Sequence, residues 1–192
     1  TAVKWYTLAA EQGDVSAQYN LSLMYHFGEG VLQDNKTAVK WYTLAAEQGH
    51  ANAQFNLGLM YDQGEGVLQD DKTAAKWYTL AAEQGDADAQ YNLGLKYDQG
   101  EGVLQDDKTA AKWYTLAAEQ GIANAQGNLG VLYANGEGVP KSNVYAHMWG
   151  NIASSNGNED GGGLREFVTK NMTPSQIEKA QRLARECVAK DY

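Results

Sequence analysis

Apolar residues recur along this chain three and four positions apart, as in amphipathic α-helices, and no segment alternates with the period of two typical of a half-buried strand. Over residues 51–64 they form a stripe along one side of a helix that turns about 100° per residue. Gly64 follows where a left-handed C-terminal cap is needed. The stripe consists of Ala53, Gln54, Leu57, Gly58, Met60 and Tyr61.

A second helix is predicted between Asp70 and Gly85. Either Asp70 or Asp71 can cap its first amides, because a carboxylate accepts their hydrogen bonds and favours the positive end of the helix dipole. Small alanines on its apolar stripe permit close helix contact, while two aromatic side chains fill the space between layers. This stripe consists of Ala74, Trp77, Tyr78, Ala81 and Ala82.

The two-helix pattern repeats every 36 residues. Tryptophan occupies positions 5, 41, 77, 113 and 149, and residues 37–72 and 73–108 differ at only five of 36 positions. A fixed period of this length is typical of a stacked array. The sequence therefore predicts an all-α, right-handed α/α solenoid (superhelix) of 36-residue helix–turn–helix repeats, with four first helices and five second helices.

A glycine-rich connector joins the two helices of each repeat. The segment Gly64-Glu65-Gly66-Val67 recurs at residues 28–31, 100–103 and 136–139. A phosphate-binding loop would require a lysine and a preceding strand, and both are missing. Four copies of the segment favour a connector, with a cap glycine, a second turn residue and a valine over the end of the hairpin.

Several short motifs together identify the repeat. They are alanine, Leu-Gly and tyrosine in the first helix, Gly-x-Gly-Val in the connector, and Lys-x-Ala-x-x-Trp-Tyr with Ala-Ala-Glu-x-Gly in the second helix. This set resembles the Sel1-like repeat, a relative of the tetratricopeptide repeat. The chain departs from that pattern at Leu32, Leu68 and Leu104, where proline is common, and at Ser22, where glycine is expected. The matching residues are Ala51, Ala53, Gln54, Asn56, Leu57, Gly58, Tyr61, Gly64, Gly66, Val67, Lys72, Ala74, Trp77, Tyr78, Ala81, Ala82, Glu83 and Gly85.

The pattern changes after Gly157. Residues 158–163 are polar and glycine-rich and predict a loop, whereas residues 164–171 and 174–190 have helical spacing. Thr173 and Pro174 form a suitable helix start, with threonine as the cap and proline at the first helical position. We therefore expect a repeat array at 1–157, which begins in the middle of a repeat, and a loop with C-terminal capping helices at 158–192. The tail also resembles that of many bacterial members of the family.

The charge of the chain restricts its partners. The formal net charge is −9 and the isoelectric point is about 4.7, so nucleic acid and anionic membranes are excluded as main partners by repulsion. No apolar run reaches the roughly 18 residues that a membrane span requires. The start at Thr1, without a methionine, indicates excision from something longer. The compartment therefore stays open between the cytoplasm and an exported or periplasmic location.

No catalytic, metal or cofactor site is predicted. The three histidines, His26, His50 and His147, lie in different repeats and lack the spacing of metal ligands. Cys187, the single cysteine, lies on an apolar stripe, and this position favours a role in core packing over a role as a nucleophile. The carboxylates at 11, 47, 83 and 119 end a helix in every repeat, which suits capping or solvation better than acid–base catalysis.

The side of the first helices opposite the packing stripe is the candidate binding surface. In tetratricopeptide-like arrays this side lines a concave groove that holds partners. Here it carries an aromatic row and an aliphatic row rimmed by acids, as a surface for a basic peptide would. Alternatively, the next repeat covers both rows and they are core between repeats. The candidate residues are Tyr19, Leu23, His26, Asn52, Phe55, Leu59, Asp62, Asp88, Tyr91, Leu95, Asp98, Asn124 and Val131.

Three functions follow from the resemblance. The first is a non-enzymatic scaffold or adaptor that binds a partner protein or peptide in the groove, including basic ones. The second is a spacer that holds other domains of a larger protein apart. The third is β-lactam binding or weak hydrolysis, as in a cysteine-rich branch of the family. That branch carries paired cysteines, which a chain with one cysteine lacks.

Overall fold

A computed structural model describes residues 2–189, and all regular structure in that range is helical. The four first helices are α2, α4, α6 and α8, the five second helices are α1, α3, α5, α7 and α9, and two helices follow them. This order confirms the predicted all-α repeat array. The helices are α1 (Ala2–Glu11), α2 (Val15–Phe27), α3 (Asn35–Glu47), α4 (Ala51–Gln63), α5 (Asp71–Glu83), α6 (Ala87–Gln99), α7 (Asp107–Glu119), α8 (Ala123–Asn135), α9 (Asn143–Ser155), α10 (Glu159–Thr169) and α11 (Pro174–Val188).

Local sequence fixes both ends of the repeat helices. Asp70 Oδ1 accepts hydrogen bonds from the backbone N–H of Lys72 at 3.1 Å and of Thr73 at 3.2 Å, so Asp70 is the N-cap of α5. The Thr73 hydroxyl also donates to Asp70 Oδ2 at 2.7 Å, and this bond, together with the two backbone bonds, lowers the pKa of Asp70. At the end of α4, Gly64 adopts φ +72°, the left-handed cap that favours glycine. Both predicted caps are confirmed.

The chain forms two compact units. Unit 1 extends to Ala89 and includes residues 101–103, and unit 2 contains residues 90–100 and the chain from Leu104 onward. In unit 1, buried residues of α3 and α4 form a core on which Tyr19 and Leu23 of α2 and Trp77 of α5 pack. In unit 2, the corresponding core joins α7, α8 and α9, and Ala184 of α11 closes it.

A buried glutamine couples successive repeats. Gln54 Nε2 donates to the carbonyl of Ala46 at 3.0 Å, and Gln54 Oε1 accepts from Gln84 Nε2 at 2.7 Å. Gln18 and Gln126 repeat this arrangement with Gln48 and Asn156. The predicted apolar stripe therefore includes a polar side chain whose hydrogen-bonding groups are satisfied, as burial requires.

The connector does more than turn the chain. A Cβ on Gly66 would overlap the backbone of Asn35 and lie 2.9 Å from the nitrogen of Lys36, at the start of α3. Gly138 meets the start of α7 at Asp107 in the same way. The second connector glycine therefore lets one repeat approach the backbone of the repeat before it.

The predicted loop at 158–163 is wrong, because α10 begins at Glu159. The glycines that suggested a loop serve close packing, since a Cβ on Gly161 would lie 2.7 Å from both the carbonyl oxygen of Gly150 and the nitrogen of Ser154. Tertiary contact with α9 therefore overrides the low helix propensity of glycine. The predicted start of α11 is confirmed, with Thr173 and Gln176 forming a capping box.

Candidate interaction surface

The candidate binding residues all belong to the first helices, α2, α4, α6 and α8. The side of these helices that carries them, opposite the packing stripe, is called the outward side. Both units carry part of the set. Asn52, Asp88, Asn124 and Val131 are exposed, whereas the other nine residues are half-buried. Unit 1 contains Tyr19, Leu23, His26, Asn52, Phe55, Leu59, Asp62 and Asp88, and unit 2 contains Tyr91, Leu95, Asp98, Asn124 and Val131.

The aromatic row contacts the second helix of its own repeat. Ring centroids are 6.1 Å apart for Phe55 and Tyr78, and also for Tyr91 and Tyr114. Leu95 of the aliphatic row packs with Tyr91 on the core of unit 2. Both rows therefore pack against neighbouring helices, and because their side chains are only half-buried they still present part of their surface to solvent.

Two of the candidate acids accept hydrogen bonds from tyrosine hydroxyls. Tyr78 Oη donates to Asp62 Oδ2 at 3.2 Å, and Tyr114 Oη donates to Asp98 Oδ2 at 3.0 Å. Burial raises the pKa of both tyrosines, and the neighbouring carboxylates raise it further, so both phenols keep the proton that they donate. Asp62 and Asp98 are therefore structural residues as well as acids at the surface.

The first repeat lacks this carboxylate–tyrosine pair. His26 stands at the equivalent position, edge-on to Phe27 with centroids 4.5 Å apart and to Tyr42 at 6.2 Å. Ser22 replaces the glycine, Gly58 or Gly94, that lies against the tyrosine ring in the second and third repeats. The Tyr42 ring is tilted 52° to that of Tyr19, compared with 38° and 35° for the equivalent pairs.

Between α2 and α4 lies a depression of about 330 Å³, its open mouth included. His26 and Phe27 of α2 border it, and α4 contributes Asn56, Leu59 and Gln63. Three of the candidate residues, Leu23, His26 and Leu59, therefore line one concavity. The complete lining is Leu23, His26, Phe27, Tyr42, Asn56, Leu59, Met60 and Gln63.

The described residues form neither a metal-ion cluster nor a membrane-spanning helix. Across residues 2–189, no group of three or more histidine, cysteine, aspartate or glutamate side chains is arranged to hold a metal ion. Within the same described range, no helix has the length and apolar character needed to cross a membrane. Cys187 packs at the edge of the unit 2 core, as its apolar stripe predicted.

Sequence reasoning overlooked the structural partners of the candidate residues. Tyr42 lines the depression, and His50 stacks on Tyr19 with centroids 4.5 Å apart, but neither was among the candidates. One signal could have revealed the tyrosine contacts. Aspartate and tyrosine occur 16 positions apart at 62 and 78 and again at 98 and 114, and both residues change together at 134 and 150.

Stacked hairpins of 36 residues place the chain among the helical-repeat proteins of the tetratricopeptide-like class. A profile of the Sel1 repeat matches residues 1–14, 15–50, 51–86, 87–122 and 123–158. The chain therefore belongs to the Sel1 repeat family, as its motifs indicated. This repeat generally forms a scaffold for protein interactions and is generally non-catalytic.

The chain is similar to bacterial Sel1 repeat structures. One is c5321, a protective antigen of uropathogenic Escherichia coli with an SLR fold, at 39% identity and a TM-score of 0.86 over 97% of this chain and 40% of that one. Another is a Sel1 repeat protein from Oxalobacter formigenes, at 42% identity and a TM-score of 0.77 over 86% of this chain and 48% of that one. The chain thus spans less than half the length of both neighbours.

A third neighbour represents the cysteine-rich branch. It is cysteine rich protein B from Helicobacter pylori, at 30% identity and a TM-score of 0.52 over 67% of this chain and 92% of that one. With Cys187 alone, the present chain lacks the paired cysteines of that branch. No protein of curated function matches the chain.

Proposed function

We propose that this Sel1 repeat protein is a scaffold that binds a partner protein or peptide along the outward side of its first helices. The observation that carries the proposal is the half-exposed apolar surface on each unit. Leu23 and Leu59 line one concavity in unit 1, and Val131 is 43% exposed in unit 2. Apolar surface of this kind, rimmed by polar residues, is typical of interaction sites.

Charge favours a basic partner. The chain carries a net charge of −9, and the exposed carboxylate of Asp88 lies near the start of α6. A positively charged segment would be attracted over long range, and salt would screen that attraction. Apolar side chains of the partner would pack against the aliphatic row and anchor it. Such contacts mainly set the rate of dissociation of the complex.

Selection from a random peptide library displayed on phage tests this proposal. The recovered peptides are expected to combine an apolar residue with lysine or arginine and to bind less tightly as salt increases. Asn52→Arg places a long cationic side chain on the exposed outward side of α4 and should weaken binding by about tenfold or more.

Leu44→Arg on α3 is the matched control. Leu44 is 43% exposed on a second helix, and its replacement changes the net charge by the same amount. If both variants weaken binding equally, the peptides respond to overall charge and the proposed surface is wrong. Recovery of no peptides would also contradict the proposal and favour the spacer function.

A further inference from the structure

The first repeat departs from the others at the outward C-terminal end of its first helix. Where α4 and α6 end in Asp-Gln, α2 ends in His26-Phe27. The rest of the repeat matches closely, so its helices are the same. The replacement of an acid and an amide by an imidazole and a phenyl ring therefore changes the surface at this end of α2. Phe27 is 63% exposed beside the His26 ring, so the change adds apolar surface at this end of α2.

The structure holds this changed end of α2 in place. The carbonyl of His26 accepts a hydrogen bond from Gln33 Nε2 at 2.9 Å, which ties the connector to the last turn of the helix. The His26 ring contacts both Phe27 and Tyr42 edge-on. Phe27 thus stands at the rim of a preformed depression, and preformed sites lose less entropy on binding.

The lining of the depression is mainly apolar, with the amides of Asn56 and Gln63 as its polar part. Leu23, Leu59 and Met60 provide aliphatic surface, and Phe27 and Tyr42 provide aromatic surface. His26 contributes its ring, and its Nδ1 atom is buried without a hydrogen-bond partner among the described residues. The empty space of about 330 Å³ includes the open mouth, so the enclosed part is smaller and suits a single side chain.

We propose that this depression receives one leucine-, methionine- or phenylalanine-sized side chain of a basic partner polypeptide. The inference rests on the proposed function and assigns it an anchor position. A basic partner is favoured because none of the eight lining residues is a lysine or arginine, while Glu29 and Asp62 follow the lining residues Phe27 and Leu59 along the chain. An apolar anchor buried in a pocket is the usual form of an interface hot spot.

The test uses short peptides of alternating lysine and alanine with one variable central residue. Methyl NMR spectra of the whole protein should show shifts at Leu23, Leu59 and Met60 when that residue is leucine, methionine or phenylalanine. The alanine peptide should bind about tenfold more weakly or not at all, because it buries little apolar area. If all peptides shift these methyl groups equally, or none does, the inference is wrong.

Two variants with matched controls complete the test. H26D/F27Q restores the residues found in the second and third repeats, so it should fold, as a thermal melt will verify, and it should lose the preference for an apolar central residue. Gln63→Trp should block the mouth of the depression, whereas Gln99→Trp, at the equivalent exposed position of unit 2, should not. Equal effects of the two tryptophans would overturn the inference.

This anchor and the broader binding surface can fail separately. If peptides recovered by phage selection are sensitive to Asn52→Arg but insensitive to H26D/F27Q and Gln63→Trp, the anchor position is wrong and the proposed function stands. If recovered peptides respond to none of these changes, both proposals fall.

Discussion

A glycine in each of the two central repeats sets how closely a first helix approaches the tyrosine of the next second helix. A Cβ on Gly58 would lie 2.7 Å from the Tyr78 ring, and one on Gly94 would lie 2.6 Å from the Tyr114 ring. Ordinary contacts are longer, so the ring or the helix would have to move. The hydrogen bond from Tyr78 to Asp62 opposes movement of its ring.

Gly58→Ala should therefore destabilise the protein, although alanine is the better helix former. Overpacking of a tight site costs about 1–3 kcal/mol, which exceeds the gain of about 1 kcal/mol in helix propensity. Gly163→Ala in α10 is the control, because a Cβ there meets nothing within 4 Å and should leave stability unchanged or improved. Urea unfolding measures both, and equal stabilisation by the two alanines would show that Tyr78 does not restrict Gly58.

At the residue scale, helix caps were predictable from the sequence, whereas contacts between residues distant in the sequence were not. Asp70 and Gly64 follow from rules that involve only neighbouring residues, and both adopt the predicted caps. Asp62 was predicted only as a surface acid, because its tyrosine partner lies 16 residues away on another helix. The depression beside His26 was missed for the same reason, since it requires the relative placement of α2 and α4.

Helices α9 and α10 show how an element forms against its local propensity. Gly150 and Gly161 meet backbone to backbone, which allows the glycine-rich segment to pack as a helix. His147 of α9 is buried in the same unit, and its Nδ1 has no hydrogen-bond partner among the described residues. Burial lowers the pKa of His147, and the Arg165 guanidinium lowers it further.

His147 should make the protein acid-sensitive. Its pKa in the fold lies below 6.5, its ordinary value, so between these values the unfolded chain binds a proton that the folded chain does not. Stability should therefore fall as pH decreases through 6.5. Urea unfolding at a series of pH values should show this slope in the wild type and a smaller slope in His147→Gln.

The effects of other titrating groups on stability can be distinguished from that of His147. Asp34, Asp70 and Asp106 have lowered pKa values, below 3.8, so their contribution is lost only at lower pH. Burial raises the pKa of Asp86, and its protonation would favour the fold as pH falls. An unchanged slope in His147→Gln would show that His147 does not titrate differently in the folded and unfolded chain.

At the scale of the whole molecule, stability depends on repeats that bury one another's surfaces. Trp77 of α5 packs on the core formed by α3 and α4, whereas Trp5, at the equivalent position of α1, is 70% exposed. The period, the helix types and the family were predictable because the same local pattern recurs. The proposed binding surface could be predicted only as one side of the first helices, because periodicity alone cannot separate outward positions that also pack from core positions.

Trp77→Ala should cost more than Trp5→Ala. Deletion of a buried tryptophan costs about 3–5 kcal/mol, and half-burial places Trp77 near the lower end of that range. Trp5→Ala should change stability by no more than about 0.5 kcal/mol, as exposed substitutions do. Equal losses in chemical unfolding would mean that the two tryptophans are equally enclosed in solution.

The central claim is that partners bind on the outward side of the first helices. Hydrogen exchange with and without a peptide recovered by selection tests it most directly, because bound peptide slows local opening of the helices that it contacts. The account predicts slower exchange in α2 and α4 or in α6 and α8, with little change in α11. Protection confined to the second helices, the connectors or α11 would contradict it.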